Sequence, residues 1–369
     1  MIDRPIRVAL VGCGGMAKRY RTVYSRLPGV RWATAIDPNQ ETLDACRAEG
    51  AERCTTEFKD ALVDDVDAVV ISTPNHLHAD QAVAALNAGK HILLQKPIAN
   101  TLEAADRIVA AAKDAHDRHG VWAAMYMSNY DDPAVWAIKA VLDAGLLGTI
   151  QSVRARDAHR GGLTLNGQAW RSSRGLTGGG SFVQLSIHSI NLMRWWLGAE
   201  VRNATALSQN RLCSAVGGDD CTIAAIEFSD RTLGVFDSAY ASDGNLRELY
   251  GTRGWIRFWA DGEGRRIELR LDTTFKASDT VDYQLANKVA SFAAPPPQFD
   301  DISNPYNQNV QFINRIRDDV PPHMSVVQGR DDLAVVEAVY GSAQDRRPVE
   351  PQPFHRDVQT IDMTIPTRL

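Results

Sequence analysis

The 369-residue chain is short of cysteine, of long apolar runs and of charge of one sign. Its five cysteines, Cys13, Cys46, Cys54, Cys213 and Cys221, are odd in number and include no CxxC pair. That argues against a disulfide framework or a clustered metal site and for a reducing compartment. No stretch approaches the ~20 apolar residues of a membrane span. The first apolar run, Ile6 to Val11, is broken by Arg7 and ends at Gly12, so no secretory leader is expected and the predicted location is cytoplasmic. Forty Lys and Arg face 45 Asp and Glu, a formal net charge of −5 without a long block of either sign. The basic footprint of a nucleic-acid partner or an anionic membrane is therefore excluded. Repeats and low-complexity tracts are also missing, and Ala293 to Pro297 reads as a surface loop. What is there is an ordinary globular composition, 44% hydrophobic and 23% charged, long enough for two domains at ~150 residues each.

The first third alternates strand and helix patterns. Ile6 to Val11 reads as a strand, after which Met16, Tyr20, Val23, Tyr24 and Leu27 recur at helical spacing up to Pro28-Gly29. Further strands are expected at Val30 to Ile36, Val66 to Ile71, His91 to Leu94 and Val121 to Met127. Between the last two, Asn100 and Glu103 are expected to cap a helix running to His119. This alternation predicts parallel βαβ units. The pattern changes near Asp131-Asp132-Pro133. From Val201 to about Tyr283, strand-like runs follow one another without helices, predicting a largely antiparallel sheet, and helical periodicity returns at 309–317 and 331–344. The expected fold class is α/β, with a doubly wound parallel Rossmann sheet over 1–127 and an α/β domain with a large, mostly antiparallel open sheet over 128–369.

Directly after the first strand, Gly12-Cys13-Gly14-Gly15-Met16-Ala17 matches GxGxxG/A. Gly12 permits a tight turn, Gly14 a close approach of pyrophosphate, and Ala17 close helix packing, with the helix N-terminus facing the anion. Asp37, 25 positions beyond Gly12, ends the second strand. Its carboxylate suits both adenosine-ribose hydroxyls and repels a 2′-phosphate, so NAD is the expected cofactor.

With Ser72-Thr73-Pro74-Asn75-His76-Leu77-His78, Ala88 to Pro97, Gly145 to Ile150 and Gly178-Gly179-Gly180 running to His188, the chain resembles the glucose-fructose oxidoreductase / inositol dehydrogenase / rhizopine-catabolism (Gfo/Idh/MocA) oxidoreductases over nearly its whole length. The resemblance implies sugars, sugar acids or cyclitols as substrates and a homodimer or homotetramer formed through the second domain's sheet. It implies cofactor contacts from Gly12, Cys13, Gly14, Gly15, Met16, Asp37, Thr73, Pro74, Asn75, His78, Gln95 and Lys96. Lys96 matches the Lys of the family's Glu-Lys-Pro motif, and His188 the His of its Asp-x-x-x-His motif. An ammonium polarises the reacting hydroxyl, and an imidazole takes its proton.

Two positions depart from the family pattern. Gln95 stands where relatives carry Glu and Gln184 where they carry Asp, so both bases lose an anion that would stabilise their protonated forms. Gln184 keeps an orienting role. The segment before the glycine block is rich in arginine, and the implied substrate contacts are Arg156, His159, Trp170 and Arg171, with Arg154, Arg160, Arg174, Asn191 and Tyr306 as weaker candidates. His76 and His78 are expected to order their loop, and no metal is expected. The expected activity is an NAD-dependent dehydrogenase acting on a secondary alcohol or cyclic hemiacetal. Its rivals are an epimerase, lyase or glycosidase with tightly bound NAD, and a non-catalytic NAD- or sugar-sensing module.

Overall fold

A computed structural model describes residues 4–167, 170–261, 264–271, 289–294 and 299–353. Their contacts divide into two units, 4–131 with 299–331 and 132–294 with 332–353.

In the first unit, strands β1 (Ile6–Val11), β2 (Val30–Ile36), β3 (Arg53–Thr55), β4 (Ala68–Ile71), β5 (His91–Gln95) and β6 (Ala123–Tyr126) alternate with helices α1 (Lys18–Arg26), α2 (Gln40–Ala48), α3 (His78–Asn87) and α4 (Leu102–His119). The strands form one sheet in the order β3-β2-β1-β4-β5-β6, parallel at every pairing. Strands of such a sheet are covered on both faces, which is why β4 and β6 are buried throughout. The three-residue β3 has no apolar run to announce it. α4 starts one residue later than the predicted capping pair: Thr101 is the N-cap and accepts from the Ala104 N–H at 3.2 Å. Met16 also falls outside the predicted helical stripe, at 42% exposed and two residues before α1.

The second unit begins with α5 (Pro133–Asp143), whose N-cap Asp132 accepts from the Ala134 N–H. It continues with β7 (Ile150–Ala158), the short α6 (Arg174–Thr177), α7 (Ile187–Leu197), β8 (Val201–Gln209), β9 (Cys221–Phe228), β10 (Leu233–Ala239), β11 (Asn245–Gly251), β12 (Gly254–Asp261), β13 (Gly264–Leu271) and β14 (Ala290–Ala293). The eight strands follow the order β14-β13-β12-β11-β7-β10-β9-β8, with β10 against β7 as the parallel pair. Side chains alternate between a buried and an open face, so that Ala224, Ile226 and Phe236 are buried while Leu207, Ile223, Leu233 and Val235 are 46–62% exposed. The surface loop predicted over Ala293 to Pro297 is corrected at its start, because Ala293 ends β14 and Ala294 is buried, while residues 295–297 lie outside the described residues.

The expected single boundary at 127/128 is corrected in one respect. After the second sheet, α8 (Gln308–Asp318) returns to the first unit because Val310, Phe312, Ile313 and Ile316 join the core formed with β1 and α1. At ~1.5–3 kcal/mol per buried large apolar side chain, that face outweighs its position in sequence. The last helix, α9 (Val326–Asp345), runs on into the second unit.

Candidate functional site

In the first unit the strand order reverses between β1 and β4, and ligands of such sheets bind in the crevice beyond the carboxyl ends of those strands. Gly12 leaves β1 with φ +80°, and a Cβ there would lie 2.7 Å from the Ser72 carbonyl oxygen, so only glycine fits. A Cβ on Gly14 or Gly15 would meet nothing within 4 Å, which leaves the loop open to a dinucleotide's pyrophosphate. Ala17 is buried against the sheet as its role in close packing requires. The Cys13 side chain is buried, with its Sγ 3.5 and 3.6 Å from the Leu10 and Ile36 carbonyls, and a hydrogen bond with Cys46 together with desolvation pushes its thiol pKa up. Cys13 thus exposes no side chain to a ligand. Its N–H donates to one Asp37 oxygen at 2.8 Å, and the Asn39 N–H donates to the other at 2.9 Å. These bonds hold the carboxylate at the end of β2, where it suits a ribose.

The turns after β4 and β5 are tied together by His78. Its ring is fully buried, with one nitrogen 2.9 Å from the Thr73 carbonyl and the other 2.9 Å from the Pro97 carbonyl. Desolvation lowers its pKa against those two acceptors, and the ring braces the turns rather than facing a ligand. Thr73 donates its hydroxyl to Gln81 at 2.6 Å, and Asn75 is buried. Lys96 follows β5 directly and is half-buried. Gln95 turns inward: its Oε1 accepts from the Lys96 N–H at 2.8 Å while its Nε2 donates to the Tyr20 hydroxyl. Tyr20 meets Tyr126 edge-on at 4.8 Å, and the Tyr126 hydroxyl donates to Asp131 at 2.5 Å. Burial pushes Asp131 up to about 7 against the opposing bonds from Tyr126 and the Gln308 N–H.

In the second unit, Gly178 closes α6 in the left-handed region, and residues Phe182–Ser186 form a π-turn that leads into α7. Such turns cluster at functional sites. This one carries Gln184, and α7 carries His188. α7 is fixed from two sides. Ser189 donates to Asp157 of β7 at 2.5 Å, while Asn191 donates to Asp332 at 2.7 Å and Arg194 pairs with the same carboxylate. Asp157 is buried and paired with Arg247, and desolvation raises its pKa despite that cation. Asn191 is therefore a helix anchor.

The expected substrate residues separate into two groups. His159 caps the Gly161 N–H at 2.9 Å and its ring lies 5.1 Å from that of Tyr240; Arg171 stacks on Trp170 at 4.5 Å, and its charge acts on the Tyr240 hydroxyl. Tyr240 packs with Leu185 of the π-turn, and desolvation raises its pKa. Nothing in the sequence marks Tyr240, a lone aromatic past the end of β10. Arg156 does not join this group. It alternates with Ala155 and Asp157 along β7 and so lies on the sheet's open face, paired with Asp237 and 2.7 Å from the Ser242 hydroxyl. Arg154 stacks on Tyr250, Arg160 pairs with Asp243 at 2.6 Å, and Arg174 lies over the Tyr340 ring. Tyr306 falls in the first unit. Among the described residues, no group of three His, Cys, Asp or Glu side chains is arranged to hold a metal, and no helix is long and apolar enough to cross a membrane.

A glycine-loop nucleotide fold joined to an α/β unit defines the class, and comparison with known proteins gives the family. Residues 6–122 match the profile described as oxidoreductase family, NAD-binding Rossmann fold, and residues 139–350 match that family's C-terminal alpha/beta domain. The chain belongs to the Gfo/Idh/MocA oxidoreductases, and its first unit is an NAD-binding Rossmann domain. It is 28% identical over 314 residues to levoglucosan dehydrogenase of Pseudarthrobacter phenanthrenivorans, covering 75% of this chain and 78% of that protein. It is 30% identical over 253 residues to 1,5-anhydro-D-fructose reductase of Ensifer adhaerens, covering 67% and 74%. An oxidoreductase domain protein from Kribbella flavida superposes with a TM-score of 0.81 over 95% of this chain and 100% of its own at 21% identity, a likeness that speaks for the fold.

Proposed function

We propose that the protein is an NAD-dependent dehydrogenase that oxidises a secondary alcohol or cyclic hemiacetal of a sugar, sugar acid or cyclitol. The observation that carries the reading is the open Gly14-Gly15 loop beside a carboxylate already oriented by two backbone N–H groups, in a chain whose relatives include sugar-derivative oxidoreductases. NAD⁺ bound there supplies the hydride acceptor. Asp37 accepts from the ribose hydroxyls. Lys96, at the carboxyl end of β5, donates to the substrate oxygen and stabilises the negative charge that develops on it. His188 accepts the hydroxyl proton as the C–H bond breaks, and Gln184 orients the substrate by hydrogen bonding. Tyr240, His159 and Arg171 are the proposed sugar contacts: two ring faces suit pyranose C–H groups, and the guanidinium suits an oxyanion on the substrate.

The apolar open sheet face, with Leu207, Ile223, Leu233 and Val235, supports a homo-oligomer, and the buried free thiols Cys13 and Cys46 support a cytoplasmic location. The test is NADH formation, followed by absorbance, across neutral sugars, sugar acids, sugar phosphates and cyclitols. Turnover of at least one class is expected. Ligand binding without turnover across the whole panel would refute a dehydrogenase, and substrate conversion without net NADH would transfer the assignment to transient oxidation by retained NAD.

A further inference from the structure

Two buried side chains with no part in that reaction meet at the start of the segment carrying Gln184 and His188. Asp219, 7% exposed, comes from the loop before β9, and Tyr340 from α9. One Asp219 oxygen accepts from the Gly180 N–H at 3.0 Å and the Tyr340 hydroxyl at 2.6 Å. The other accepts from the Phe182 N–H at 3.0 Å and from the Ser181 and Thr222 hydroxyls at 2.6 and 2.8 Å. The Tyr340 oxygen accepts in turn from the Gly180 and Val183 N–H groups, each at 3.2 Å, and the Asp219 carbonyl accepts from the Ser181 N–H at 2.8 Å.

The first four N–H groups of a helical segment have no carbonyl of their own to bond, and one capping side chain ordinarily satisfies one or two of them. Here all four, from residue 180 to residue 183, end on Asp219 or Tyr340, and the regular ladder begins only with the Gln184 N–H donating to the Gly180 carbonyl. The approach leaves no slack. A Cβ on Gly180 would lie 1.9 Å from the Asp219 carbonyl oxygen, and one on Gly179, itself at φ +157°, would lie 2.3 Å from the Tyr340 oxygen. The carboxylate also opposes the positive end of the segment's dipole. Because the bonds arrive from two separate elements, they fix both the rotation and the height of the turn on which Gln184 sits.

We propose that Asp219 and Tyr340 are positioning residues that set the π-turn, and through it Gln184 and His188, in catalytic register. The proposal rests on the roles assigned to Gln184 and His188 above. Tyr340→Phe removes three of the bonds while keeping the ring. Asp219→Asn keeps one acceptor oxygen but aims an NH₂ at a backbone N–H that cannot turn away.

The experiment compares wild type and Tyr340→Phe in kcat, KM, pH–rate profile, NAD⁺ affinity by titration, thermal midpoint and amide hydrogen exchange over residues 180–183, with Asp219→Asn as a second variant where it folds. Expected are faster exchange at those amides, a kcat lower by about tenfold to a hundredfold, an altered acidic limb of the profile, and NAD⁺ affinity within about twofold. Unchanged exchange would show that the bonds do not hold the turn. Faster exchange with kcat within about twofold of wild type would show that the turn needs no holding. Either result overturns the proposal, as does a lower thermal midpoint with an unaltered pH profile. Wild-type inactivity across the sugar panel would instead overturn the proposed function, with exchange still reporting whether the two residues hold the turn.

Discussion

The candidate residues of the two units are built from different materials. In the first unit the groups proposed to meet the nucleotide are mostly backbone: a left-handed Gly12, an open Gly14, and N–H groups at Cys13 and Asn39 that orient one carboxylate. In the second unit the proposed contacts are side chains such as Tyr240, which packs on Leu185 of the π-turn, and the turn itself is held by Asp219 and Tyr340 from distant elements. A backbone site depends on local conformation and tolerates wide changes in side chains. A side-chain site depends on long-range packing, so its chemistry shifts with a single substitution. Sugar specificity is expected to drift at the second end while the cofactor stays the same.

Lys96, proposed above to stabilise charge on the substrate oxygen, gives the largest predicted effect. Lys96→Ala is expected to lower kcat by ~10²–10⁴ while leaving NAD⁺ affinity nearly unchanged, checked by steady-state rates beside an NAD⁺ titration. Weakened NAD⁺ binding at intact turnover would place Lys96 with the cofactor instead. Smaller, and on the buried side of the same unit, is the effect of Asp131. Unfolded, its carboxyl loses its proton near the ordinary value of about 4; folded, it keeps it to about 7. Over that interval the native state binds more protons, so stability falls as pH rises, and the loss is complete above about 7. Asp131→Asn should remove this fall, a difference on the order of a few kcal/mol at most between pH 5 and pH 8 in denaturant titrations. Parallel curves for both proteins would exclude it.

The smallest effect tests the second unit. Gln184→Asp restores a carboxylate in the turn before α7 and should move the acidic limb of the kcat profile up by ~1 pH unit, because an anion favours protonated His188. A limb that stays put would detach Gln184 from the proton-transferring group.

The legibility of the sequence follows the same division. β1, the glycine loop, α1 and Asp37 are local and periodic, and they stand where the spacing predicts. The antiparallel run from β8 to β13 is legible for the same reason. Invisible in advance are groups whose importance lies in a distant partner: Tyr340 lies 160 residues from the Gly180 N–H it accepts, and Asp219 lies 39 away. α8 returns to the first unit through an apolar face whose destination no local pattern states. Arg156 is different, because its signal is present in the sequence: Val153 and Ala155 alternate with Arg154 and Arg156, which assigns both arginines to the sheet's open face.

The Asp37 carboxylate, proposed to accept from the ribose, is held by the protein's own backbone. With each oxygen already bonded to a backbone N–H, the side chain has little rotamer freedom left to lose on association, a cost of about 0.5–1.5 kcal/mol for a side chain immobilised by its ligand. The ordering entropy is spent once, when the chain folds, and every later encounter with a dinucleotide meets a rigid acceptor.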